Sequence, residues 1–177
     1  GIEKSKEIMA ERGTKVTDPD KVSKQVAVGA ISFEATKYEK VKDTVYDMEA
    51  SLNFDGETSP YMQYTYARCC SIIEKSNVQL DVSKINFADI DESKGYGLIK
   101  LLNKFPSTVV DAYEKVEPCL IVRLLMDIAS EFNKFYTNNR IIDNGEVNLN
   151  NLAIVYATKI VFEDGFKLVN IPAITKM

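Results

Sequence analysis

The chain contains no histidine. That absence removes Ser–His and Cys–His catalysis of the usual kind, and every zinc site that uses imidazole. Cysteine is almost as scarce, with only Cys69, Cys70 and Cys119. Three thiolates cannot complete a four-cysteine metal site, and the adjacent pair Cys69-Cys70 does not suit a strain-free disulfide. A sparse, odd cysteine count fits a reducing compartment. No apolar run reaches the roughly 18 residues a membrane span needs. The opening GIEKSKEIMAERG is charged and amphipathic and lacks the apolar centre of a signal peptide. The cytoplasm is therefore the expected location. Neither a G-x-G-x-x-G run nor a Walker-type loop occurs, so both common phosphate cradles are missing. Asp and Glu are plentiful but scattered, and no pair stands out for acid–base work.

Positive charge is also in deficit. Lys and Arg number 22 against 26 Asp and Glu, a net charge of −4. That argues against a protein coated in basic, nucleic-acid-binding surface, although it leaves room for a local patch. What remains is ordinary for a globular protein: 177 residues, 45% hydrophobic and 27% charged. This suffices for one domain with a sizeable core, with or without an appendage.

Along the chain, residues 3–12 read as a short helix closed by Gly13. Asp18-Pro19 opens a second helix, expected to stop near Gly29. Residues 30–54 show no helical period, and short extended pieces are expected around 31–33 and 44–46. Asn53-Phe54-Asp55-Gly56 is a turn signal. Residues 77–97 read as a polar loop with one turn of helix. A helix over 98–104 should be followed by another from Pro106 to Lys115. Glu117-Pro118 opens a longer helix in which Leu120, Leu124, Ile128 and Phe132 repeat every four residues. A polar loop over 138–148 precedes a last helix from about Leu149 to Val169, ended by Pro172. Its Leu152, Val155, Tyr156, Ile160, Phe162 and Phe166 offer a broad apolar face. Helices joined by short loops predict a mainly α fold, an antiparallel helical bundle behind a short irregular or extended N-terminal segment.

The stretch SPYMQYTYARCCSI is the most informative. Thr58 or Ser59 can cap a helix and Pro60 suits its first turn. Met62, Tyr66, Cys69 and Ile73 fall at i, i+4, i+7 and i+11, a single apolar stripe. Tyr61, Tyr64, Arg68 and Ser71 fall on a second face, which carries two aromatic rings and a guanidinium. Most tyrosines on amphipathic helices are packing residues, so this second face needs its own account. Gln63 projects into another sector and reads as structural. Cys69 and Cys70 read as a buried thiol and its neighbour. The lysines at 37, 40 and 42 could touch an RNA stem, but a solvated face is the plainer reading.

The same stretch resembles arginyl-tRNA synthetases, in the region where the catalytic core hands over to the anticodon-binding domain. The family pattern F-x-G-[ED]-T-x-P-Y-L-Q-Y-x-x-A-R is matched by Phe54, Gly56-Glu57-Thr58, Pro60-Tyr61-Met62-Gln63-Tyr64 and Ala67-Arg68. Gly29-Ala30 and Tyr46-Asp47 fit upstream, and Ser71-Ile72 fits downstream. Leu125, Ala129, Phe132-Asn133 and Phe135-Tyr136 resemble the long bundle helix. Gly165, Leu168, Ile171, Pro172 and Met177 resemble the closing G-x-x-x-L-G-I-x-x-P-x-x-M. Three departures stand out: Met48 where the family has tryptophan, Asn151-Leu152 for Arg-Leu, and Val169-Asn170 for Leu-Gly.

The resemblance implies a C-terminal piece of a longer arginine–tRNA ligase. Residues 1–57 would be the tail end of the catalytic-core and stem-contact region, and 58–177 the anticodon-binding bundle. The HIGH and KMSKS-like motifs are missing, so the piece should have no catalytic residues, bind no cofactor and be inactive alone. ATP with magnesium would belong to the parent. The expected partner is arginine tRNA, with no DNA or membrane partner, and the expected assembly is a monomer. The residues carried over to the anticodon are Tyr61, Tyr64, Arg68, Tyr136 and Met177. Such RNA is read by stacking splayed bases on aromatic or guanidinium planes. The free carboxylate of Met177 would add an acceptor beside its polarizable thioether. The 51–58 segment resembles a family loop that packs under the anticodon. With a net negative charge, the piece should bind tRNA weakly by itself. Two rivals remain: a stand-alone helical interaction module without an RNA role, and a small enzyme, which the missing histidines and phosphate loops disfavour.

Overall fold

The computed structural model describes residues 1–11, 16, 18–43, 45–86, 88 and 92–177. They form seven α-helices, one 3-10 turn and one two-stranded hairpin. The architecture is the expected helical bundle, and the N-terminal segment is more helical than its sequence suggests. Helix α1 spans Ile2–Glu11; its expected terminator, Gly13, lies outside the described residues. Helix α2 spans Pro19–Thr36 and begins as expected, with the Asp18 carboxylate accepting from the Lys21 N–H.

Helix α2 does not stop at Gly29. It runs on through 31–33, where an extended piece was expected. A Cβ on Gly29 would come within 2.6 Å of Ser59 Oγ and 2.7 Å of Gln63 Nε2. This glycine therefore serves close approach between helices rather than chain reversal. Burial of Val26, Ala30 and Phe33 along one face outweighs its weak helix propensity. The extended piece expected at 44–46 is likewise no strand at the described positions 45 and 46, and position 44 lies outside them. Asp47 instead caps a short helix α3, Met48–Ser51, accepting from the Glu49 and Ala50 N–H groups.

Helix α4 spans Ser59–Ser76, with the Thr58 hydroxyl accepting from the Tyr61 N–H. A 3-10 turn at Val82–Lys84 interrupts the loop that follows. Helix α5 is one continuous helix, Glu92–Lys115, with Pro106 inside it, not two helices meeting there. A mid-helix proline costs about 3 kcal/mol. Here Leu98 on one side of it and Ala112 on the other are both buried in the same core, which holds the two halves in line. Val116 then takes a left-handed conformation at φ 55°, and the Glu117 N–H donates to the Ala112 carbonyl. A β-branched residue is strained there, and the gain is a tight corner into helix α6, Cys119–Asn138.

The expected polar loop contains a hairpin. Strand β1 (Ile142–Asp143) pairs antiparallel with β2 (Glu146–Val147), Ile142 opposite Val147. Asn144 and Gly145 both have positive φ, 49° and 88°, the geometry of a two-residue type I′ turn. Helix α7 spans Leu149–Leu168. Leu152, Val155, Phe162 and Phe166 are buried as expected, but Ile160 lies at the edge of that stripe and is 54% exposed. The helix ends before Pro172 can break it. Asn170 is left-handed at φ 54° and the Ile171 N–H donates back to the Phe166 carbonyl, the 6→1 bond of a Schellman turn. Asparagine tolerates this conformation better than other residues with side chains, and so stands in for the family's glycine.

Two cores result. The large one joins α4, α5, α6 and α7, with Phe33 added from α2. The small one gathers Met9, Val22, Val26, Leu52 and Phe54 around Ile174, which arrives from the far end of the chain. Gln63 ties the two together. It is fully buried, and its Nε2 donates to the Gln25 carbonyl at 3.3 Å and the Pro172 carbonyl at 2.9 Å, the structural role read for it from sequence.

Candidate functional site

Helices α4 and α6 lie side by side, and their ends open into a cavity of about 880 Å³. Tyr64, Arg68, Ser71 and Lys75 reach it from α4 at i, i+4, i+7 and i+11. Tyr136 lines it from the end of α6, Arg140, Ile141 and Ile142 from the hairpin side, and Met177 from the tail.

An aromatic–guanidinium column runs through the site. The Arg68 guanidinium carbon sits 4.9 Å from the Tyr64 ring centroid and 5.0 Å from that of Tyr136. Phe132 stacks behind Tyr136 at 6.4 Å with an interplanar angle of 18°. Phe132 is wholly buried, while Tyr64 and Tyr136 are each about two-fifths exposed. The column therefore rises from the large core to solvent. Each cation–π contact contributes about 0.5–1 kcal/mol at such a surface. Arg68 Nη1 donates to Asn133 Oδ1 at 3.0 Å and Nη2 to the Tyr64 hydroxyl at 3.2 Å.

The electrostatics depart from those of the whole chain. Arg68, Lys75 and Arg140 line the cavity, and no Asp or Glu side chain does. Arg140 is paired with Asp143 at 2.7 Å, outside the lining. A second cavity, of about 570 Å³, is apolar, walled by residues such as Val110, Tyr113 and Leu168 without a charged group. Of these two, the first combines cations with exposed aromatic planes.

Four of the five residues singled out from sequence, Tyr64, Arg68, Tyr136 and Met177, share this cavity. Tyr61 does not line it. It packs against the large core, and its hydroxyl accepts from Asn133 Nδ2 at 2.8 Å. Tyr66 belongs to the core, as its stripe indicated. Its hydroxyl donates to Glu163 at 2.7 Å, and its ring meets Phe166 edge-on at 5.9 Å. Burial, then the Glu163 bond, pushes the Tyr66 phenol well above its ordinary range. Partial burial works against the Glu163 charge, but Lys159 and the Tyr66 hydroxyl hold that carboxyl below its usual value. Burial pushes the Cys69 thiol up, so it is inert as a nucleophile.

The 51–58 segment packs Leu52 and Phe54 into the small core and does not line the cavity. Lys37 pairs with Glu34 at 2.6 Å, and Lys40 Nζ donates to the Lys115 carbonyl at 3.0 Å. Sequence reasoning missed Lys75 and Arg140. Lys75 continues the Arg68 stripe by two more turns and could have been found. Arg140 depends on the hairpin, which was read as loop. Among the described residues, no group of three or more His, Cys, Asp or Glu could hold a metal ion. No described helix is long and apolar enough to cross a membrane.

Known proteins place this geometry in context. The family model for the DALR anticodon binding domain matches residues 62–177. Arginine–tRNA ligase 1 of Bacillus thuringiensis subsp. konkukian is 38% identical over 176 residues, covering 99% of this chain and 31% of that relative. The arginine–tRNA ligase of Clostridioides difficile is 36% identical over 177 residues, with the same shares covered. Among solved structures, Thermus thermophilus arginyl-tRNA synthetase superposes with a TM-score of 0.82 at 28% identity, covering 99% of this chain and 31% of that one. The chain thus spans about a third of the length of the curated relatives it matches.

Proposed function

Because this chain belongs to the DALR anticodon-binding domain family, we propose that it is the anticodon-reading part of an arginine–tRNA ligase. In this reading residues 58–177 grip the anticodon loop of arginine tRNA. Residues 1–57 are the tail end of the catalytic-core and stem-contact region of a parent that attaches arginine in an ATP-dependent, magnesium-assisted reaction. The chain acts as a monomer on RNA rather than DNA, in the cytoplasm. It holds no cofactor and is inactive alone.

The observation that carries the reading is the cationic, aromatic cavity in an otherwise acidic chain. A splayed base needs a flat partner, and the part-exposed rings of Tyr64 and Tyr136 supply two, with the Arg68 guanidinium between them. The adjoining phosphates need cations, which Arg68, Lys75 and Arg140 supply. Met177 gives the cavity a polarizable wall. Tyr61 contributes through Asn133 rather than by direct contact.

The test places Arg68→Ala and Tyr136→Ala in the parent ligase. A stacked base is worth about 1–3 kcal/mol and a hydrogen bond to a charged group about 1.5–3 kcal/mol, so each variant should raise the KM for arginine tRNA by about tenfold. Two variants that aminoacylate like wild type across tRNA concentrations would overturn the site.

A further inference from the structure

Asn133 sits one turn before the end of α6, behind Arg68, and touches α4 at three points. Its Oδ1 accepts from Arg68 Nη1 at 3.0 Å. Its Nδ2 lies 2.8 Å from the Tyr61 hydroxyl and 3.4 Å from Thr65 Oγ1. Thr65 fixes which way the carboxamide faces. The Thr65 hydroxyl gives its only hydrogen to the Tyr61 carbonyl at 2.9 Å, so towards Asn133 it can only accept. An acceptor there demands the NH2 end of Asn133, which turns the oxygen end to Arg68. Thr65 is fully buried, so this reference point is rigid.

The other restraints on the guanidinium are weaker: two ring faces at 4.9 and 5.0 Å and a tyrosine hydroxyl at 3.2 Å. Among the described residues Arg68 has no ion pair. A carboxylate at position 133 would hold the fork more strongly but would cancel its charge. A carboxamide orients it and leaves the charge intact.

Building on the proposed function, we infer that Asn133 is a positioning residue. It holds the Arg68 guanidinium between Tyr64 and Tyr136 as an uncompensated cation, presented to a nucleotide of the RNA. Asn133 itself does not touch the RNA. Its effect on binding passes through Arg68.

The test measures binding of the 177-residue chain to a fluorescent anticodon stem-loop of arginine tRNA over a salt series. The proteins are wild type, Arg68→Ala, Asn133→Ala, the double variant and Asn133→Asp, each with its Tm recorded. Arg68→Ala should lose about tenfold in affinity, and its salt slope should fall by about 0.7, the value for one single-strand phosphate contact. Asn133→Ala should lose about fivefold, the typical net worth of one hydrogen bond and less than the loss for Arg68→Ala, because the guanidinium remains and loses only its anchor. The double variant should bind no more weakly than Arg68→Ala alone. Asn133→Asp, close in shape and so the safeguard against misfolding, should remain folded with a modestly lowered Tm, because one carboxylate oxygen replaces the NH2 group that faces the Thr65 acceptor. It should nevertheless lose affinity together with about 0.7 of the salt slope. If Arg68→Ala weakens binding but the losses add in the double variant, or Asn133→Asp binds like wild type, the positioning role is overturned and the site survives. If Arg68→Ala itself binds like wild type, the site falls and the role of Asn133 falls with it.

Discussion

From α4 onward each helix buries a face against helices near it in sequence, whereas the small core closes only when Ile174 returns to sit among side chains of α1, α2 and the 52–58 segment. Among the described residues the large core holds twenty-three buried side chains and the small core seven. That disproportion indicates where stability resides: the small core buries too little to stand without its visitor from the tail. The cavity draws on both. Its Tyr136 wall is backed by Phe132 of the large core, while its Met177 wall packs against the small one.

The sharpest way to break this comparison is to hollow the large core beneath the cavity. Phe132→Ala removes a wholly buried ring and should destabilise the chain by about 3–5 kcal/mol, read from chemical denaturation. It should also weaken RNA binding, because Tyr136 loses its backing. A Phe132→Ala protein within 1 kcal/mol of wild type would show that the large core is not the anchor. Ile174→Ala should cost less, about 2 kcal/mol, because so small a cluster can relax around the gap. Its loss should also be local, with hydrogen exchange quickening in α1 and α2 while α5 and α6 keep their protection. Uniform quickening would mean that the two cores open as one.

The smallest effect concerns pH and touches the large core alone. Glu163 joins Lys159 at 2.6 Å and Tyr66 at 2.7 Å, bridging α7 to α4. Its carboxyl titrates below its unfolded value. The stability it adds is therefore full above the ordinary carboxylate range and is lost as pH falls towards the depressed folded value. Glu163 is a third exposed, so the contribution is modest. In a Tm series against pH, Glu163→Gln should lie below wild type at neutral pH and converge with it in acid. Parallel curves would show that the bridge does not matter.

Much of this was legible in the sequence because caps and stripes are local signals. Asp18, Thr58 and Pro60 mark helix starts through their own backbone chemistry. The i, i+4 spacing of Tyr64 and Arg68 fixes a shared face before any fold is known. What escaped depends on partners distant in sequence. Gly29 reads as a stop until Ser59 and Gln63 are seen pressed against it. Pro106 reads as a boundary until α6 is seen to bury both halves of α5. Tyr61 shares a face with Tyr64 on paper, yet the nearness of Asn133 turns it inward. Asn144-Gly145 is the exception, a local type I′ hairpin signal inside a stretch whose polarity reads as loop.

The Gln63 side chain has an evolutionary corollary. One carboxamide serves three segments, bonding to α2 and to the tail while its own helix crosses Gly29 with no room for a methyl group. None of these segments can be redrawn alone. A lineage that alters position 29 or 63 has to accommodate the change at the other, so these two positions should be inherited as a pair.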